Sequence, residues 1–240
     1  MDYTVVITGG TRGLGRAVAR EFVEAGAFVA ICGRDGTDVD AAVEALREAG
    51  EEVDSNGDNN GGVWGMRADV RDEFEVERFL ELAARKAGPI DAVVANAATS
   101  HDEPGEMPID EESYASFDDT LRTNVRGVFA TITEALPHLA DDARVVVPSG
   151  SAATESLSGM GSYAVSKAGA EAVARGFAAD VDATVGVVDP GLVATDLTKK
   201  ENARDPESVA PLFHWAITEA PAEDLNGGRL GLREWKKATR

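Results

Sequence analysis

The stretch TVVITGGTRGLGRAVAREFVEAGAFVAICGRD, residues 4–35, decides the fold of this chain. TVVIT (4–8) is a short, β-rich apolar run and reads as a strand. A glycine turn follows, and RAVAREFVEAG (16–26) reads as a helix that stops at Gly26. FVAICG (28–33) is a second strand. Together they make a βαβ unit. Within the turn, TGGTRGLG (8–15), Gly9, Gly13 and Gly15 let the backbone bend sharply and approach a ligand closely. Thr11, Arg12 and Leu14 complete that loop. The helix start behind it offers N–H donors and positive potential, so the unit predicts a pyrophosphate site.

The same rhythm continues along the chain. Helices are expected over 38–50, 73–88, 113–136 and 162–181, alternating with strands over 63–70, 91–98, 144–150 and 184–191. Short apolar runs between helices belong to a parallel sheet covered on both faces. The expected fold class is α/β: a doubly wound parallel sheet (Rossmann fold) with helices on both faces, in one domain over 1–240. Two segments break the rhythm. EEVDSNGDNNGG (51–62) reads as a surface loop insertion. The stretch 192–225, with the pair Lys199-Lys200 and a helix around 206–219, reads as a substrate lid. The final GLREWKKATR (231–240) is either an interface segment, packing through Trp235, or a basic tail.

Composition narrows the function classes. Asp plus Glu number 43 against 23 Lys plus Arg, a net charge of −20. Such a surface repels nucleic acid and anionic lipid, which removes both as partners. The acids are spread along the chain, and self-repulsion of this size is relieved by salt screening, so adaptation to a salty cytoplasm is expected. No apolar run approaches the ~18 residues of a membrane span, and the first residues read directly into a strand rather than a signal peptide, so a cytoplasmic protein is expected. The one cysteine, Cys32, reads as a small buried strand residue, and no metal site is expected.

The end of the second strand bears on the cofactor. A carboxylate there would bond the 2′-hydroxyl of NAD. CGRD (32–35) instead places Arg34 at that point, with Arg12 inside the glycine loop. Two guanidiniums suit a 2′-phosphate, so NADP is expected; Asp35, next in sequence, keeps NAD as the alternative. At the other end of the chemistry stand Tyr163 and Lys167, four apart on one helix face. A free phenol, with a pKa near ~10, is a poor acid–base at neutral pH, and a neighbouring ammonium is expected to lower it. The phenol can then exchange a proton with a substrate oxygen while hydride moves to or from a nicotinamide.

These motifs, in order, resemble the short-chain dehydrogenase/reductases over essentially the whole chain. The carriers are TGGTRGLG (8–15), Ala68-Asp69-Val70, Asn96-Ala97-Ala98, Asn124-Val125-x-Gly127, Tyr163-x-x-x-Lys167 and Pro190-Gly191-x-x-x-Thr195. The resemblance implies that Asp69 and Val70 hold the adenine and that Asn96, Ala97 and Ala98 line the cofactor cleft. It implies that Asn124 bends its helix and positions a water in a proton relay with Lys167, which also grips the nicotinamide ribose. Pro190, Gly191, Val193 and Thr195 would contact the carboxamide side of the nicotinamide. It further implies a small-molecule carbonyl or alcohol substrate and a homodimer or homotetramer. The segment 99–112, with His101 and Met107, is expected at the opening of the cleft, His101 as a loop residue rather than a catalyst.

Two departures stand out. ANAA (95–98) puts Ala95 and Ala98 where the family has a polar residue and a glycine. The family's serine, thirteen residues before the tyrosine, is here Gly150, flanked by Ser149 and Ser151. Three readings stay open: Ser151 turns into the site, Ser149 does so from a strand end made irregular by Pro148, or the site is weakened and the protein binds cofactor in a regulatory or structural role. A nucleotide-sugar epimerase of related fold is disfavoured, because no sizeable C-terminal substrate domain is present. The charge generates the first testable outcome: thermal midpoints should rise steadily from dilute buffer into molar KCl, and a flat profile would remove the salt adaptation.

Overall fold

The computed structural model describes residues 3–53, 61–101, 103–198 and 202–240. Most of the 51–62 insertion and the Lys199-Lys200 pair lie outside the described residues. Seven parallel strands form one sheet in the order β3-β2-β1-β4-β5-β6-β7. They are β1 (Thr4–Thr8), β2 (Phe28–Gly33), β3 (Val63–Arg67), β4 (Ile90–Val94), β5 (Leu139–Pro148), β6 (Thr184–Asp189) and β7 (Arg229–Gly231). The order reverses between β1 and β4, which opens a crevice at their C-terminal ends.

Alternation along each strand divides the core into two layers. Val5 and Ile7 of β1 face one side, with α1 (Gly13–Glu24), α2 (Gly36–Val53) and α7 (Pro206–Thr218). Val6 faces the other, with α3 (Glu73–Ala87), α5 (Gly127–Ala135) and α6 (Gly161–Asp180). All five residues of β1 are buried, as a central strand of a two-faced sheet requires.

Three expectations need correction. The first helix begins at Gly13 rather than at residue 16, because the glycine loop supplies its first turn, with the Arg16 N–H on the Arg12 carbonyl. The expected helix over 113–136 is α4 (Tyr114–Leu121) and α5 joined by a five-residue π-helical turn, Arg122–Arg126, with Ser113 capping the start. The stretch 192–225, expected as a lid, contains a core helix. Helix α7 buries Val209, Leu212, Phe213 and Ile217 against α1, and Arg144 closes its end by donating to the Ala216 and Ala220 carbonyls. Among the described residues of this stretch, Leu192, Val193 and residues 195–198 line the crevice.

The C-terminus is neither tail nor free segment. β7 extends the sheet, and α8 (Leu232–Ala238) lays Leu232 and Trp235 onto the α7 layer. β7, three residues long and glycine-flanked, carries too little pattern to be read from sequence. No described helix is long and apolar enough to cross a membrane. Phe213 is fully buried at the α1–α7 contact. Phe213→Ala should therefore cost about 3–5 kcal/mol, read as a lower denaturation midpoint at constant KCl.

Candidate active site

The C-terminal ends of β1, β2, β4, β5 and β6 surround one cleft of about 500 Å³. At its nucleotide end the Asn96 side chain donates to the Thr8 and Gly9 carbonyls, both at 3.0 Å, and Thr8 Oγ1 accepts the Ala97 N–H at 3.2 Å. These bonds hold the glycine turn against the end of β4. Gly9 and Gly13 adopt positive φ, 65° and 52°. A Cβ on Gly15 would collide with the Gly9 carbonyl and the Asn96 amide, so the helix can start this close to the strand only with glycine there. No side chain caps α1. Its first-turn N–H groups thus face the cleft without a side-chain partner, which fits a pyrophosphate.

Arg12 and Arg34 both line this end. Arg12 also lies 3.6 Å from Asp196 across the opening, with both side chains well exposed. Asp35 does not line the cleft. Its Oδ1 accepts the Thr37 and Asp38 N–H groups at 2.8 and 3.2 Å, capping α2. Val70 lines the cleft, but Asp69 does not. The Asp69 carboxylate is gripped by Arg71 through Nε and Nη2, and Arg71 reaches on to Asp119, which also meets His101. Burial alone would raise the Asp69 pKa; the hydrogen bonds and charge of Arg71 outweigh it and hold the carboxyl below its usual range. Cys32 is buried, and desolvation pushes its thiol up to about 12, so it is not a reactive thiolate.

At the chemical end, Tyr163 and Lys167 project from the first turns of α6. Lys167 Nζ lies 5.7 Å from the centre of the Tyr163 ring and donates to the Pro148 carbonyl at 3.0 Å. Here an expectation is corrected. Burial pushes the Tyr163 phenol up to about 12 and the Lys167 ammonium down to about 8, so proximity to lysine alone does not lower the phenol. Ser149 and Ser151 both line the cleft. Ser149 is buried and its hydroxyl has no hydrogen-bond partner among the described residues, whereas Ser151 is exposed on the turn Ser151–Ala153. Gly150 also lines it, and a Cβ there would approach nothing nearer than Asp189 Oδ1 at 4.0 Å.

Asn124 is buried in the π-helical turn and does not line the cleft. Its Oδ1 accepts the Thr99 N–H, and its Nδ2 donates to the Thr99 carbonyl and to Ser166 Oγ. The side chain thus ties the loop after β4 to α6. Thr11, Leu14, Ala97, Ala98, Pro190, Gly191, Val193 and Thr195 all line the cleft.

Sequence reasoning missed a charged network behind Lys167. One helical turn further along α6, the nearly buried Glu171 receives Arg229 Nη1 from β7, and Arg229 Nη2 donates to Asp189 at 2.8 Å. Asp189 Oδ1 accepts the Gly191 N–H at 2.9 Å. The helix of the lysine and the turn of Pro190-Gly191 are therefore braced through one guanidinium. The loop after β4 is braced as well: the Glu112 carboxylate accepts both the N–H and the hydroxyl of Ser162, beside Tyr163. Glu171 has one local partner, Arg175 four residues on, but Arg229, which joins it to Asp189, lies 58 residues away, so no local signal marked the network.

Residues 3–206 match the family described as short chain dehydrogenase. Among curated relatives, the oxidoreductase asL5 of Sarocladium schorii is 31% identical over 202 residues, which is 82% of this chain and 74% of that protein. The hydroxynaphthalene reductase-like protein Arp2 of Metarhizium brunneum is 32% identical over 196 residues, 80% of this chain and 68% of that protein. Among solved structures, a short chain dehydrogenase from Burkholderia cenocepacia in complex with NADP superposes with a TM-score of 0.82 at 26% identity, covering 96% of each chain.

Burial predicts an unusual lysine. In the folded protein Lys167 should lose its proton near pH 8, well below an ordinary lysine, as read by NMR of the ¹³C-methylated side chain. Because the folded pKa is depressed, the penalty for burying the ammonium is present below about 8 and is relieved as pH rises toward the unfolded value. The Glu171 carboxylate favours the ammonium, so Glu171→Gln should move this titration lower still. An unchanged titration would detach Glu171 from the lysine.

Proposed function

Because the chain belongs to the short-chain dehydrogenase/reductase family, we propose that it interconverts a carbonyl and an alcohol with NADP(H), using Tyr163 as the acid–base. The observation that carries this reading is a single cleft with two chemistries: an uncapped helix start flanked by Arg12 and Arg34 at one end, and Tyr163, Lys167 and a partnerless serine at the other. The bound nicotinamide supplies or accepts the hydride. The chain's own residues do the rest. In the reducing direction the Tyr163 hydroxyl gives its proton to the substrate oxygen as that oxygen gains charge. A positively charged Lys167 then stabilises the phenolate left behind. Ser149 orients the carbonyl: its buried hydroxyl lacks a partner, and a buried donor without one is costly unless a ligand completes it. Asn124 holds the loop after β4 on α6, keeping the relay side of the site in register.

NADP is favoured over NAD because Asp35 is engaged as a helix cap and Asp69 is gripped by Arg71, whereas Arg12 and Arg34 face the cleft. We further propose a salt-adapted cytoplasmic homodimer or homotetramer. An apolar groove over α4–α6 with Leu121, Val125, Phe129, Val165 and Val173 supports self-association, with Phe129 half exposed. NADPH oxidation over a panel of aldehydes and ketones in molar KCl tests the activity. Tyr163→Phe should lower kcat/KM about 10²–10⁴-fold, and Ser149→Ala should cost more than Ser151→Ala. A larger loss at Ser151 would reverse the serine assignment. Tight NADPH binding without turnover of any carbonyl would favour a regulatory protein.

A further inference from the structure

We propose that the substrate half of the cleft takes an uncharged, predominantly apolar ketone or aldehyde and discriminates against carbonyl compounds bearing a carboxylate or several hydroxyls. This rests on the functional reading above and names the substrate class for the same site.

Six apolar residues from the three connections that follow β4, β5 and β6 line the cleft that holds Tyr163: Pro104, then Ala152, Leu157 and Met160, then Leu192 and Leu197. The wall they form is held before any ligand arrives. The Gly105 and Met107 N–H groups both donate to the Gly159 carbonyl, at 2.8 and 3.0 Å, which fixes the loop of Pro104 against the segment of Leu157 and Met160. Glu112, on Ser162, anchors the same loop a second time. Two members of this wall are large apolar side chains left in water: Leu157 is 42% exposed and Leu192 58% exposed. Covering such surface is what an apolar substrate gains on binding.

The polar inventory points the same way. The charged residues lining the cleft, among those described, are Arg12, Arg34, Lys167 and Asp196. Arg12 is paired with Asp196, and Arg34 stands at the end of β2 with the nucleotide. Lys167 is turned onto the Pro148 carbonyl and the Tyr163 ring. No described cation that lines the cleft is therefore left to meet a carboxylate beside the apolar wall, where an anion would lose its water without compensation; Arg204, next to Leu192, is exposed and does not line the cleft. Thr195 and Thr198 lie along the turn after β6, but their hydroxyls already meet each other, and Thr198 donates to the Val193 carbonyl. Ser149 and Tyr163 suit one substrate oxygen, and the exposed Ser151 and the buried Thr123 also line the cleft; a sugar brings more hydroxyls than these, and each one left unpaired in an apolar site weakens binding.

The test is equilibrium binding to the NADP-saturated Tyr163→Phe protein, so that turnover does not intervene, in molar KCl. Three probes are titrated by calorimetry: 1-tetralone, benzoylformate and D-glucose. Tetralone should bind at least ten-fold more tightly than either of the others. Leu157→Asp should weaken tetralone at least five-fold while leaving NADPH affinity, read by fluorescence quenching, within two-fold; Leu157→Met should restore the ketone. Tetralone binding no better than benzoylformate or glucose, or unchanged in Leu157→Asp, overturns the proposal. NADPH quenching is read separately: its absence would sink the nicotinamide reading, while the comparison of the three probes still decides the chemistry of the apolar wall.

Discussion

The Asn96 side chain, donating at once to the Thr8 and Gly9 carbonyls, holds the point on which the rest of the site depends. It sits where the strand order reverses, between β1 and β4, and there no backbone ladder continues beyond the strand ends. One amide closes that gap. It fixes the glycine turn, the turn fixes the start of α1, and the helix start presents its N–H groups to the cleft. The same crowding explains Gly15, whose Cβ would occupy the space the Asn96 amide needs.

From that point the molecule is a set of braces around one crevice. Asn124 ties the loop after β4 to α6, Glu112 ties it again next to Tyr163, and Arg229 ties α6 to the turn of Gly191. The π-helical turn at Arg122–Arg126 belongs to this design, because the extra residue aims Asn124 inward at both Thr99 and Ser166. A site that must hold a phenol and an ammonium side by side cannot rest on one loop; it draws on β4, β5, β6 and β7 together.

Burial at the Tyr163–Lys167 pair opposes the charge states that the proposed acid–base role would require. It moves the phenol up and the ammonium down, each toward its neutral form. The pair therefore depends on surrounding charge, of which Glu171 is the nearest built-in source, held in turn by Arg229. The C-terminal strand, three residues long, thus reaches the chemistry through a single guanidinium.

Much of this was legible in the chain itself. The alternation of short apolar runs with helical segments carried the sheet and its two layers, since a parallel strand buried on both faces needs an unbroken apolar run. The glycine spacing at 8–15 and the Tyr163-x-x-x-Lys167 pair marked both ends of the cleft, because tight turns and single helical turns are local geometry. Tertiary structure alone decided what depends on distant partners. It turned Asp35 into a helix cap, took Asp69 into the grip of Arg71, made α7 a core helix instead of a lid, and left Ser149 rather than Ser151 with a buried, partnerless hydroxyl. Burial and pairing are properties of neighbours brought together by folding, and the spacing of residues along the chain does not contain them.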